Sequence, residues 1–198
     1  MRRRKTYHHG NLREALLDAA IRLIAEVGPI AFTLREVARR AGVSHNAPYR
    51  HFRDRDDLMA AVGAQGYREL TQAMLEAAAS ETDPVERLKS AGLGYVTFAL
   101  RRPEHFTVMF DAPTSKHKHP DSGAAAEQAF GTLLGFVKNC QDAGRLASGD
   151  LGQMALLAWT MVHGIAKLAI TGRLPLHSHT EILKFARFVI DQSLPIAR

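Results

Sequence analysis

Between Gly42 and Phe52 the chain reads GVSHNAPYRHF, and its polar side chains are of a kind that recognises rather than reacts. Asn46 carries a donor and an acceptor side by side, the pattern that pairs with an adenine edge in a major groove. Ser44, His45 and Ala47 beside it are slim or adaptable, and Tyr49 can offer its hydroxyl to a phosphate while its ring packs inward. Elsewhere the chemistry is thin. No nucleophile is spaced with a base, and neither a phosphate loop nor a paired-carboxylate motif occurs, so no enzyme is expected. The histidines fall as His8-His9, His117-X-His119 and His177-X-His179, without closed ligand spacing, and one cysteine, Cys140, cannot build a thiolate site. Neither metal nor cofactor is expected.

The elements that would hold residues 44–49 in place are helical. The 198 residues are rich in alanine and leucine, and no stretch alternates with strand period, which predicts an all-α fold. One cysteine and no signal peptide predict a cytoplasmic protein. The formal charge of +6 is uneven: residues 1–60 hold twelve Lys/Arg against seven Asp/Glu, and the remainder fourteen against thirteen. A basic end on a nearly neutral body suits a polyanionic partner, although a merely solvated surface has the same composition.

About nine helices are expected. Residues 1–9 read as a basic, flexible arm. An apolar stripe through Leu12, Leu16, Leu23 and Val27 marks the first helix, ended by Gly28-Pro29. Thr33-Leu34-Arg35-Glu36 is a capping box, with Phe32 and Val37 as a hydrophobic staple, and Gly42 stops that helix after two turns. A second short helix is expected from Ser44 to Phe52, with Pro48 in its first turns. Asp54 caps a long fourth helix running towards Ser80, and Asp83-Pro84 opens another over 84–100. Helices at 103–110, 123–143, 151–171 and 180–193 complete the set, with a loop at 111–122 and stops at Gly144 and Gly172. The 151–171 segment is apolar nearly all round. Gln153, His163 and Lys167 argue against a membrane span, and the expectation is a helix buried on every side, partly against a second subunit. Ala158 and Ile165 are the expected interface residues.

A short helix, a glycine turn and another short helix, braced by a longer one, outline a helix-turn-helix over 33–52. Leu34, Val37, Ala38, Val43 and Phe52 would fill its small core. That leaves Ser44 to Pro48 without a core to serve and free to enter a groove.

Here the runs LREALLDAAIRLIAEVG, FTLREVARRAGVS and PYRHFRDRDDLM resemble the DNA-binding domain of the TetR family of transcriptional regulators. The segments YVTFALRRPEHFTVMF and AWTMVHGIAKL resemble the effector domain of a subgroup named for Trp-His-Gly. The resemblance implies a homodimer that binds double-stranded operator DNA, most often as a repressor, and answers to a small-molecule effector. Carried over by position, Ser44, His45, Asn46 and Ala47 face bases, and Thr33, Tyr49, His51 and Arg55 lie near phosphates. Asn46-Ala47-Pro48-Tyr49 departs from the Gly-Thr-Leu-Tyr of many members. The implied organisation is an arm at 1–9, a DNA-binding domain at 10–69, and an effector and dimerisation domain at 70–198. Phe98, Phe106, Met109, Phe110, Trp159 and His163 are candidate ligand-pocket walls, with ordinary core packing as the alternative reading of each. An architectural DNA-binding protein without an effector is the alternative function.

Overall fold

Caps and glycine stops become helix ends in the structure, a computed structural model that describes residues 12–111 and 119–196. Among the described residues eight α-helices follow one another: α1 (Leu12–Val27), α2 (Leu34–Ala41), α3 (Arg55–Ala77), α4 (Pro84–Arg101), α5 (Pro103–Asp111), α6 (Pro120–Asp142), α7 (Leu151–Ile170) and α8 (His179–Ser193). One 3-10 turn, Pro48–Arg50, lies between α2 and α3. The fold is all-α, and the one β-type pairing described is an isolated bridge between Leu146 and Ile196. The expected basic arm at 1–9 lies outside the described residues, as does most of the expected 111–122 loop.

Three boundaries differ from expectation. Pro120 opens α6 three residues earlier than 123, because a proline at the first helical position gives up only an amide that has no helical partner there. The amides of Ser122 and Gly123 both donate to the His119 carbonyl, closing that first turn. The long helix α3 ends at Ala77 rather than near Ser80. The segment 44–52 forms no α-helix. Pro48 has no N–H to return to Ser44, and the neighbouring amides adopt three-residue spacing: Ala47 to Ser44 at 2.9 Å, Arg50 to Ala47 at 3.2 Å and His51 to Pro48 at 2.9 Å.

The described residues divide into two compact units. The first comprises the chain up to Ala64 together with Glu104–Gly123. Its core gathers Leu16, Ala20, Leu23 and Ile24 of α1, Leu34 and Val37 of α2, Phe52, Leu58 and Val62 of α3's side, and Val108 of α5. The second comprises Gln65–Pro103 and the chain from Ala124 onward. There α4 packs against α7 and α8, and α7 against α8. Gly94 of α4 lies so close to α3 that an added Cβ would stand 2.5 Å from the Ala73 carbonyl oxygen.

α7 is long and apolar enough to cross a membrane by length and composition. One of its faces, Ala155, Ala158, Val162, Ile165 and Ala166, is closed inside the second unit, the packing of a core helix. The rest of its surface is open within the protomer: Leu156, Leu157 and Leu168 are 46%, 45% and 42% exposed. Ala158 and Ile165, the expected interface residues, face the core of their own protomer. Placing small residues against α4 leaves the leucines facing outward.

Candidate nucleic-acid interface

Thr33 caps α2 as its sequence requires. Its hydroxyl accepts from the Glu36 amide at 3.3 Å, and its own amide donates to the Glu36 carboxylate at 2.8 Å. That amide, and after it the Thr33 hydroxyl donating to the same carboxylate at 3.0 Å, hold the Glu36 carboxyl below the usual range. Phe32 and Val37 are buried at the two staple positions. Gly42 then ends α2 at φ +71°, a left-handed conformation that only glycine takes without strain, and the Val43 amide donates back to the Ala38 carbonyl.

Beyond Val43 the chain makes a tight, anchored turn. Ser44, His45 and Asn46 are exposed, and Ala47 is half-buried. Pro48, expected to have no core to serve, is among the fully buried side chains. Phe52 closes the other end of the segment at 3% exposure. The polar residues thus project from a short connection held between half-buried Val43, which packs against the unit's core, and buried Pro48. Tyr49 is 53% exposed, so its ring does not pack inward as expected, because the three-residue spacing points it away from the core. His51 is exposed, its ring 6.4 Å from that of Phe52.

Of the residues expected near phosphates, Arg55 is the one most engaged within the protein. Its Nη1 donates to the carbonyls of Pro29 at 3.1 Å and Ile30 at 2.7 Å, its Nη2 lies 3.4 Å from Asp56, and its guanidinium sits 5.9 Å from the centre of the Phe32 ring. A cation at the first position of α3 is badly placed for the helix dipole, and turning it onto two loop carbonyls compensates. Two other arginines of the head are also engaged, Arg40 with Glu26 and Arg53 with Asp57. Asp57 also lies 3.3 Å from His119, which occupies one member of the expected His117-X-His119 pair. Its carboxyl is held low, chiefly by Arg53. Two exposed residues that sequence reasoning missed are Arg35 and Arg50. Nothing in their local sequence distinguishes them from the other arginines. They stand out only once the partners of those others are known.

The expected ligand-pocket walls divide between the units. Phe106, Met109 and Phe110 lie in the first, with the Phe106 and Phe110 rings 4.8 Å apart, and Phe98, Trp159 and His163 lie in the second. Trp159 and His163, one turn apart on α7, both reach the hydroxyl of Tyr95 on α4. The indole N–H donates to it at 3.2 Å, and His163 Nδ1 lies 2.9 Å away. Burial pushes the Tyr95 pKa upward, so the hydroxyl stays neutral. Next to it is an apolar cleft of about 20 Å³, lined by Leu88, Gly92, Tyr95, Leu133, Met161 and Val162 among others, with room for about one water. Among the described residues no group of three or more His, Cys, Asp or Glu is arranged to hold a metal.

Two family descriptions cover most of the chain: "Bacterial regulatory proteins, tetR family" matches residues 16–62, and "Tetracyclin repressor-like, C-terminal domain" matches residues 88–192. An HTH-type transcriptional repressor of Mycobacterium tuberculosis is 46% identical over 48 residues, a match spanning 24% of this chain and only 26% of that protein. A solved protein of unknown function from Rhodococcus sp. RHA1 is 33% identical, with a TM-score of 0.82 over 96% of this chain and 99% of that one. FadR of Bacillus subtilis, solved in complex with stearoyl-CoA, is 14% identical and has a TM-score of 0.77 over 91% of this chain and 97% of its own, a likeness of fold alone. With the C-terminal match alone taking in over half of its length, the chain belongs to the TetR family of bacterial transcriptional regulators.

Proposed function

We propose that this chain is a cytoplasmic, ligand-responsive repressor that binds a near-palindromic operator as a homodimer. The observation that carries the reading is the exposed Ser44-His45-Asn46 triplet, projected from a connection flanked by half-buried Val43 on one side and buried Pro48 on the other. Ser44, His45, Asn46 and Ala47 face base edges, and Thr33, Tyr49 and His51 meet phosphates. Residues 10–69 act as the DNA-binding domain and 70–198 as the effector and dimerisation domain. The basic arm at 1–9 adds backbone or minor-groove contacts.

The homodimer reading draws support from an apolar surface on α7 and α8. Leu157, Gly164 and Leu168 share one face of α7, Phe185 and Phe188 are 37% and 60% exposed on α8, and a Cβ added at Gly164 would meet nothing within 4 Å. Such faces join as a four-helix bundle across a two-fold axis. The Trp-His-Gly subgroup is proposed on Trp159, His163 and Gly164, whose first two members bind Tyr95 and whose third leaves room for the partner. A small-molecule effector enters the second unit. The cleft beside Tyr95 must widen to admit it, so ligand binding and helix movement are coupled.

Selection of bound duplexes from a random DNA pool tests this reading. Two half-sites about 34 Å apart, arranged as an inverted repeat, are expected. Recovery of no sequence, or of single unpaired half-sites bound by a monomer, would refute it. An architectural protein without effector predicts bound DNA with no sequence preference, and a thermal-shift screen of metabolites would leave its melting temperature unmoved.

A further inference from the structure

We infer that Arg55 acts on DNA only indirectly, as the residue that positions the front of α2, while the direct charge contacts come from Arg35 and Arg50. The inference rests on the DNA-binding reading above and deepens it. Six cations lie from Thr33 through Arg55, and their partners sort them. Arg40 is bonded to Glu26, Arg53 to Asp57, and Arg55 to the Pro29 and Ile30 carbonyls. Arg39 lies in the field of Glu36 and at the negative end of α2. Arg35 and Arg50 are exposed, and their guanidinium groups make no hydrogen bond or ion pair among the described residues.

A phosphate gains most from a cation that gives up nothing to reach it. Arg35 and Arg50 meet that condition, on the first turn of α2 and on the 3-10 turn that carries Tyr49. Arg55 does not, since turning to a phosphate would leave two carbonyls without their donor and uncover the face of Phe32. Phe32 immediately precedes Thr33 in the chain, and its burial sets the entry angle of α2. Arg55 thus ties the start of α3 to the loop that delivers Thr33. Its effect on DNA passes through the placement of that hydroxyl and of Arg35 two residues on.

The test compares Arg35→Ala, Arg50→Ala, Arg55→Ala and Arg55→Lys on the duplex recovered from the random pool. Binding is titrated over a range of potassium chloride, at a temperature where circular dichroism shows each variant folded. Arg35→Ala and Arg50→Ala should each flatten the slope of log K against log[salt] by about 0.9. Arg55→Ala and Arg55→Lys should both weaken binding, by about tenfold or more, with the native slope retained. Lysine keeps the charge but cannot fork onto two carbonyls while lying on a ring, so it should not rescue. Even if the alanine variant fails to fold, the lysine variant decides the matter. Native binding by Arg55→Lys, or a slope flattened by Arg55→Ala, would overturn the inference by making Arg55 a direct contact. Variants that only melt earlier yet bind normally when folded would overturn it too, since the arginine would then serve stability alone. A native chain that selects no duplex would remove the regulator reading itself, a failure visible before any variant is made.

Discussion

Replacing Gly94 by alanine should destabilise the second unit, against the trend for glycines inside helices. An added Cβ would stand 2.5 Å from the Ala73 carbonyl oxygen, 2.9 Å from the Ala77 Cβ and 3.0 Å from the Ala73 carbonyl carbon. Ordinary contact begins near 3.4 Å, so the shortfall at the oxygen is about 0.9 Å. Two of these neighbours are backbone atoms, which no rotamer change can clear, so α3 and α4 must part by most of that distance. Overpacking on this scale costs about 1–3 kcal/mol, while alanine returns about 1 kcal/mol through helix propensity. The net loss should be up to about 2 kcal/mol, lowering the melting temperature by up to roughly 8 °C for a chain of this size. Gly131→Ala on α6 is the control, because nothing lies within 4 Å of its would-be Cβ. Propensity acts alone there, and stability should rise by about 0.5–1 kcal/mol. Both variants are best melted beside the native chain at one matched concentration, since the proposed dimerisation would make the midpoint concentration-dependent. If Gly94→Ala melts as high as Gly131→Ala, the close approach of α3 and α4 is not what holds this unit together.

Three further outcomes are expected. Gly164→Leu should leave the circular dichroism of the protomer unchanged, because the space around that position is open, yet convert a micromolar dimer to monomer in sedimentation; a native-strength dimer would contradict the proposed face. Asn46→Ala should cost about 1–3 kcal/mol at one base position of the operator and little elsewhere, and an equal loss for every sequence would show that Asn46 does not read bases. The third concerns acid. Lys89 hydrogen-bonds and holds down the Asp191 carboxyl, and Arg187 and Lys89 overcome the burial that would raise Glu86, so both carboxyls titrate below their ordinary range. A depressed carboxylate contributes its stability in full above its unfolded value and loses it as pH falls through the folded one. Melting temperature should therefore drop below about pH 4, and Glu86→Gln should reduce that drop. An unchanged acid limb in the variant would exclude the network as its source.

Features that span about four residues were legible in the sequence. The Thr33–Glu36 box, the Asp54 and Asp83 caps, and the stops at Gly28, Gly42, Gly144 and Gly172, all at positive φ, needed no knowledge of the fold. Two local signals were passed over: Pro120 as a helix opener and the Ser178–Glu181 capping box that starts α8. The rest depended on partners far away in sequence. Arg55 reads as a phosphate contact because its carbonyl acceptors lie 25 and 26 residues earlier and leave no local trace. The core of α7 could not be separated from its outer face, because alanines and leucines both read as apolar and only α4 decides which turn inward. At Pro48 the pattern supported a helix start, and the loss of one amide tipped the segment into a tighter turn.

That turn bears on how such a protein changes its target. In a regular recognition helix each base-facing residue also takes part in the backbone ladder, so a new side chain alters helix propensity along with specificity. Here Ser44, His45 and Asn46 precede the 3-10 turn, and the segment is held by the Ala47-to-Ser44 bond and by buried Pro48 and Phe52. On the proposed function, base reading and folding fall to different residues. Positions 45 and 46 can be varied at little thermodynamic risk, by selection in a genome or by a combinatorial library at the bench, and new operator sequences become accessible without first stabilising the scaffold.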